Sequence, residues 1–405
     1  MNQKIIYILE NYLGLSLCAF LHIIASVQKL FSSSRTEPPH VEKVLFLKFI
    51  EQGALILHGK TFAEALKRYG RENIYICTFS SNKELLTLFN IFHPEHIIVL
   101  NEKSIIAFAV SYFKALIYCR KQHIAAVIDL EFLSRATAIF SFLSGAKYRA
   151  GYHNFSDLRA YRGNLLTHKL VYSPSLHVSK TGLELLRSLL YPANNIIRDT
   201  AEDNDSDTRI SFKPETSEVI SIHKKLKSYG YDFDQIIIVN PNFNDPLPHR
   251  QWPPFKYARL IHNLSRLYPE AIFILTGRTD ESDLTDQFIA ENNLARTINL
   301  CGATTLRSLL TLYSVSDILI CSDSGPGHFA SMTDIKSIVM FGPETPALYG
   351  PVSENGTVIY KALSCSPCYN VYNNRTTQCN NNICMKEIDV DIVTKEVVKH
   401  VRTYN

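Results

Sequence analysis

The chain has 405 residues, 46% of them apolar and 20% charged, so it has the material for sizeable cores and is not a disordered tail. Forty-two basic side chains against 38 acidic ones leave +4, too mild a charge for a nucleic-acid binder. Nine cysteines are too sparse for a disulfide scaffold, and at roughly 100–200 residues per domain the length implies two domains.

From Asn11 to Gln28 no residue carries a formal charge, with Glu10 and Lys29 bounding the run. A spanning helix wants about 20 predominantly apolar residues; this run is marginal, since it includes Asn11, His22, Gln28, Ser16 and Ser26. It reads as an interfacial or anchoring helix, with a true span or an ordinary buried helix as alternatives. A cleaved signal peptide fits poorly, because Glu10 intrudes and no small-x-small site follows. SSSRTEPPH (32–40) reads as a polar linker, making 1–40 a leader.

The next run, VLFLKFI (44–50), is a continuous apolar strand of the kind covered on both faces, hence in a parallel sheet. The loop EQGA follows, then a helical pattern over 55–69 closed by Gly70. Strands are predicted at 73–79, 96–100 and 124–130, each followed by a helical stretch. This alternation gives a doubly wound α/β domain over 41–192. Residues 193–216, with AEDNDSDTR, lose the pattern and read as a linker.

The series restarts at QIIIVN (235–240) and continues with strands at 271–277, 296–302, 316–325 and 336–343, with helices at 254–268, 280–293 and 304–313 between them. A second doubly wound domain therefore covers 217–360, with a cysteine-rich segment and a helix over 361–405. The two domains are expected to face each other across a cleft. Ligands of open α/β sheets sit beyond the carboxyl ends of the strands, so the loops there are where chemistry is sought.

In the second domain the loop Asp323-Ser324-Gly325-Pro326-Gly327-His328 lies where a strand gives way to a helix. Its glycines admit close backbone approach, and the helix start offers N–H groups to an anion such as a diphosphate. The segment 240–253 supplies Asn242 and Asn244 as turn formers and Arg250 as an always-charged phosphate partner. Trp252, the one tryptophan, reads as a packing anchor at a helix entry. Gly277, Thr279 and Asp280 follow the next strand and can reach a ribose or base.

In the first domain Lys48 and Glu51 follow the first strand, and a carboxylate at the end of a central strand is a plausible general base. Asp129 and Glu131 form a second acidic pair, with Arg135 and Arg149 placed to neutralise them. Cys365-x2-Cys368 and Cys379-x4-Cys384 offer four thiolates for a structural zinc; two disulfides or free thiols are the alternatives.

With these loops assembled, the chain resembles glycosyltransferase family 9, the heptosyltransferase family. NPNFNDPLPHRQWPP, ILTGRTDESD and the ordered set strand–DSGPGH–helix–strand–FGP–x-x-P carry the resemblance. It implies the GT-B fold, two Rossmann-like domains facing a cleft, here with an added N-terminal hydrophobic helix. It implies transfer of a sugar, heptose or a related one, from a nucleotide-diphosphate donor to a lipid-linked or surface glycan such as lipopolysaccharide core, with no cofactor needed at the reaction centre. The expected partners are the donor, a glycan or glycolipid acceptor and a membrane surface, at the cytoplasmic face of the inner membrane. By resemblance Arg250 matches the diphosphate partner in R-x-W-P, and Asp323, Ser324, Gly325 and His328 match the donor loop. Many members carry a Glu in the ribose loop, where this chain has Thr279 or Asp280. The family's first-domain loop reads Gly-Asp, with the Asp as base; here Ala54 follows Gly53, and Glu51 is the nearest carboxylate. A sugar-nucleotide epimerase of the same fold, and an inactive assembly protein that lost its base, are the competing readings.

Overall fold

A computed structural model describes residues 9–30, 40–153, 161–192, 209–371, 373 and 375–401. The chain divides into two compact units, residues 1–208 and 209–405. Most of the expected linkers, 31–39 and 193–208, lies outside the described residues.

The first unit contains α1 (Gly14–Leu30), β1 (Val44–Leu47), α2 (Gln52–Leu57), α3 (Gly59–Tyr69), β2 (Ile74–Phe79), α4 (Lys83–Phe89), β3 (Ile97–Leu100), α5 (Ile105–Lys121), β4 (Ala126–Asp129), α6 (Arg135–Leu143), β5 (Tyr148–Tyr152), β6 (His168–Leu170) and α7 (Val178–Ser188). Its strands are all parallel, in the order β3-β2-β1-β4-β5-β6. β1 and β4 are buried at every position, as the uninterrupted apolar runs demand of strands with helices on both faces. Leu45, Leu47, Tyr75, Cys77 and Val127 pack on one side against Tyr112, Leu116 and Cys119 of α5 and Phe140 of α6. Phe46 points the other way, onto Phe62 of α3 at 5.2 Å.

The leader helix α1 is docked rather than detached. Cys18, Leu21 and Ala25 pack against Ala138 and Ile139 of α6 and against Leu165. Glu10, in the π turn Leu9–Leu13 that precedes α1, caps α6. Its carboxylate accepts from the Ser134 hydroxyl at 2.7 Å and from the N–H groups of Arg135 at 3.0 Å and Ala136 at 3.3 Å, a negative charge at the positive end of a helix.

The second unit contains α8 (Thr216–Lys227), β7 (Gln235–Asn240), α9 (Pro254–Leu267), β8 (Ala271–Leu275), α10 (Ser282–Glu291), β9 (Thr297–Asn299), α11 (Leu306–Ser314), β10 (Ile318–Ser322), α12 (Gly325–Ala330), β11 (Lys336–Phe341), α13 (Pro346–Tyr349), β12 (Gly356–Tyr360), α14 (Ile383–Lys386) and α15 (Val390–His400). Its strands are again all parallel, in the order β12-β11-β10-β7-β8-β9. Read from β9 this is the first unit's order repeated, so each sheet has a switch point, between β1 and β4 and between β7 and β10, where loops part and a ligand can enter. The segment after 360 is not set apart: Val393 and Val397 of α15 are fully buried in the same core as Ile237, Phe273 and Leu264. Residues 209–216 also belong to this unit, with Phe212 donating its N–H to the Met332 carbonyl at 2.6 Å.

Candidate functional site

The switch point of the second sheet brings the 241–252 loop beside the 323–328 loop. Asp245, which the sequence reading passed over, organises the first of these. Its side chain is fully buried, and it accepts from Asn242 Nδ2, the Leu247 N–H and Arg250 Nη2, each at 2.8 Å. Asn242 takes a positive φ of 52°, which an asparagine tolerates and which turns the chain back toward Asp245. Arg250 is 16% exposed at its side chain. Burial lowers the guanidinium's affinity for its proton, but Asp323 and Asp245 beside it outweigh burial and raise its pKa above the ordinary value. Asp323 is thus a close neighbour of Arg250. Among the described residues, Arg250 Nε is buried with no hydrogen-bond partner. Of five guanidinium donors, one is engaged by Asp245 and another is dry and unmet.

The 323–328 loop follows β10. Asp323 is 5% exposed and Ser324 7%. Ser324 caps α12 in extended backbone, but its hydroxyl donates to the Ser322 carbonyl at 3.0 Å and not to the helix. The helix start is a weaker anion site than expected. Pro326 has no N–H, and Gly327 gives its own to the Ser324 carbonyl at 3.2 Å. Gly327 is needed for packing: a Cβ there would meet Val339 Cγ2 at 3.1 Å. His328 is half-buried in α12, and Gly325 lies at its first position.

The 277–281 loop is tied to the 241–252 loop. Glu281, also passed over, is 2% exposed and accepts from the Arg278 N–H at 2.7 Å and the Asn244 N–H at 3.1 Å. Arg278 Nη2 donates to the Asn244 carbonyl at 3.0 Å, and Asn244 Nδ2 to the Asp280 carbonyl at 3.0 Å. Thr279 and Asp280 are exposed, while Gly277 is packed so closely that a Cβ would sit 2.9 Å from Cys301 Sγ and Glu281 Oε2.

The cysteine-rich segment packs on the arginine loop. His249 Nε2 donates to the Cys379 carbonyl at 2.5 Å, which leaves Nδ1 to accept from the Tyr369 hydroxyl at 2.7 Å. Asn382 Nδ2 donates to the carbonyls of His249 at 3.2 Å and Gln251 at 3.0 Å. Trp252 is the buried anchor expected, 1% exposed, with Nε1 donating to the Ile388 carbonyl at 3.0 Å. Arg375 pairs with Glu344 at 3.0 Å and is close enough to Arg250 to oppose its charge. None of the nine cysteines is joined in a disulfide. Burial, reinforced by Cys368, Cys365 and Cys379, pushes the Cys384 thiol up to about 11, with the Met385 backbone opposing. Among the described residues no three His, Cys, Asp or Glu side chains converge as a metal site.

In the first unit the structure corrects the reading of Asp129 and Glu131. Asp129 is fully buried and paired with Arg162, which also donates to the Tyr152 carbonyl at 2.9 Å. Burial raises the Asp129 carboxyl above its usual range against the pull of Arg162. Glu131 accepts from Lys48 Nζ at 3.0 Å and from the N–H groups of Phe49 at 2.7 Å and Ile50 at 3.0 Å, clamping the loop after β1. The neutralising cations are Arg162 and Lys48, while Arg135 turns to Glu10 and Arg149 to the carbonyls of Leu165 and Ala146. Glu51 joins this network through Lys48, its 31% exposed side chain lying 3.8 Å from Nζ. Its φ of 70° and ψ of 95° are strained for a residue with a Cβ. Such strain is held where the surroundings over-determine it, often at functional sites.

Two doubly wound parallel sheets in tandem, the second with an arginine and an aspartate at its switch point, are the architecture of the GT-B glycosyltransferases. The chain belongs to glycosyltransferase family 9: residues 119–377 match the family model described as Glycosyltransferase family 9 (heptosyltransferase). Lipooligosaccharide heptosyltransferase 2 of Campylobacter jejuni is 26% identical over 153 residues, which is 37% of this chain and 46% of that protein. The match thus spans less than half the length of such relatives. Among solved structures, E. coli ADP-heptose lps heptosyltransferase II superposes with a TM-score of 0.64 at 17% identity, over 88% of this chain and 98% of that one. A glycosyl transferase family 9 protein of Veillonella parvula gives 0.62 at 16% identity, over 91% and 98%. At these identities the likeness establishes the fold.

Proposed function

We propose that the chain is a glycosyltransferase that moves a sugar, heptose or a relative, from a nucleotide-diphosphate donor to a lipid-linked or surface glycan such as lipopolysaccharide core. Family membership supports the reaction class, and the structural relative named for ADP-heptose supports an adenine nucleotide as the first donor to try. The observation that carries the reading is Arg250, gripped by Asp245, neighbouring Asp323 and keeping a buried, unmet Nε. Its remaining donors neutralise the diphosphate as charge develops on it, an effect of roughly 3–4 kcal/mol per well-placed donor. Asn242 and Gly277 shape the flanking turns, while Thr279, Asp280, Ser324, Gly325 and His328 line the donor side. The loss of N–H groups at Pro326 and Gly327 throws the anion's neutralisation onto the arginine.

In the transfer the bond between the sugar's anomeric carbon and the diphosphate oxygen breaks, and one from that carbon to the acceptor oxygen forms. The acceptor's proton passes to Glu51 and the nucleoside diphosphate leaves as an anion. Lys48 is the positioning residue of this pair: buried and held by Glu131 at 3.0 Å, its Nζ lies 3.8 Å from the Glu51 carboxylate. Transfer is preferred over epimerisation because Asp129 and Glu131, the carboxylates a second acid–base pair would draw on, are both engaged in folding the loops. We place the enzyme at the cytoplasmic face of the inner membrane, where a lipid-linked acceptor is presented. A structural zinc on Cys365, Cys368, Cys379 and Cys384 is the accompanying reading. Four thiolates fit zinc chemically, and it would brace the segment that holds His249 and Trp252. The test is a thermal-shift screen of the chain against ADP-, GDP-, UDP- and dTDP-sugars, followed by transfer of the stabilising sugar to a glycolipid extract. Stabilisation by none of them sinks the reading.

A further inference from the structure

Surface helices of soluble domains turn polar residues outward. Two helices of the first unit do the reverse. Along α1 and the turn before it the exposed stripe is Leu13, Leu17, Phe20, Ile23, Val27 and Leu30, between 40% and 84% exposed. On α5 it is Ile106 (78%), Val110 (48%), Phe113 (62%) and Ile117 (56%), a run at helical spacing along one face. Both helices pack on α6: α1 through Cys18, Leu21 and Ala25, and α5 through Tyr112, whose hydroxyl donates to the Ala136 carbonyl at 2.8 Å.

The formal charges carried by α5 itself have one sign. Between Ile105 and Lys121 there is no carboxylate, while Lys114, Arg120, Lys121 and the adjacent Lys103 are all exposed. Glu102, the nearest acid in sequence, is folded back onto Ser80 and Ser81. An apolar face of this extent rimmed by cations matches a bilayer with anionic headgroups. The stretch Glu10–Gln28 is long and apolar enough to cross a membrane, with 22% of it buried. A crossing would tear Glu10 from the α6 amino terminus and Cys18 from its core, and it would leave the α5 face in water.

We propose that the outer faces of α1 and α5 together form a monotopic docking surface for a bilayer containing anionic phospholipid, with α1 lying in the interface. This deepens the proposed function at the acceptor side. α5 and α6 start at the carboxyl edge of the parallel sheet, where Glu51 also lies, so an acceptor held in the membrane approaches that edge. The docking itself does not depend on which sugar is moved.

The test is flotation of the full chain with phosphatidylcholine vesicles, with and without phosphatidylglycerol. Binding is expected to need the anionic lipid and to fall at least tenfold in a Val110→Ser, Phe113→Ser, Ile117→Ser variant, whose circular dichroism and nucleotide-sugar thermal shift stay those of the parent. A Phe20→Ser, Ile23→Ser, Val27→Ser variant is expected to lose binding in the same way. Undiminished binding by the α5 variant overturns the two-helix surface, as does equal binding to both vesicle types. Resistance of the native chain to alkaline carbonate extraction would mean a span and overturns the interfacial placement. A dimer in place of vesicle binding, broken by the α5 variant, assigns the face to a second copy and also overturns it. Since donor stabilisation is read separately, failure of docking leaves the glycosyltransferase reading standing, and the reverse holds too.

Discussion

Arg250→Ala separates chemistry from architecture. The substitution removes one of two partners of Asp245 Oδ1, but that buried carboxylate keeps the Asn242 amide and the Leu247 N–H, each at 2.8 Å. Removing one partner of a buried ion pair outright costs about 3–5 kcal/mol; with two donors remaining, roughly 2 kcal/mol is expected. For a unit of this size that lowers its melting temperature by about 4–8 °C. The effect on transfer is larger in proportion. If the guanidinium supplies about 3–4 kcal/mol to the departing diphosphate, kcat falls on the order of 10²–10³-fold. KM for the donor rises less, because the interaction strengthens as charge develops. Arg250→Lys keeps the charge but not the fork, and cannot serve Asp245 and a phosphate together; it should fall between. The assay is release of nucleoside diphosphate with glycolipid acceptor, well below the variant's melting temperature. Transfer by Arg250→Ala within threefold of the parent would refute the assignment.

Glu51→Gln should lower kcat by about 10²–10⁴-fold while the donor's thermal shift is retained; full transfer in that variant moves the base elsewhere. Burial, then Lys48 and His177, lower His58 from 6.5 to about 3, and among the described residues neither ring nitrogen has a hydrogen-bond partner. Between those values the unfolded chain binds the proton and the folded one does not, so stability falls as the pH drops from 6.5 toward 3. The slope approaches about 1.4 kcal/mol per pH unit, or roughly 2 kcal/mol by pH 5. Denaturant midpoints for His58→Leu should be flatter over that range, and an unchanged slope would place the titration on another group, with His153 next. If the four cysteines hold zinc, metal analysis finds it in stoichiometric amount and a chelator lowers the second unit's melting temperature, whereas Cys368→Ser and Cys379→Ser copurify without it; a metal-free native chain removes that reading.

The fold was legible wherever a strand is covered on both faces. QIIIVN and VLFL announce themselves because every position is buried. β5 and β6 were missed because Tyr148–Tyr152 contains Arg149, whose head reaches carbonyls, and because His168–Leu170 is only three residues long. β12 was missed as an edge strand with one buried position. At the site, Arg250 and the 323–328 loop were readable as residue types in a loop. Asp245 was not, since an aspartate before a proline looks like a turn until Asn242, Leu247 and Arg250 are seen converging on it. Glu131 looked like half of an acidic pair, and only its contacts with Lys48, Phe49 and Ile50 show it to be a loop clamp. Glu10 looked like a flaw in an apolar run; it is what fastens that run to α6.

The grip of Tyr369, Cys379, Asn382 and Ile388 on the His249–Trp252 loop has a consequence for biosynthesis. During translation Arg250 emerges long before the residues that fix its neighbours. A nascent chain stalled short of Ile388 would lack the carbonyl that anchors Trp252, so the 249–252 loop takes its folded form only after residues 369–388 have left the ribosome.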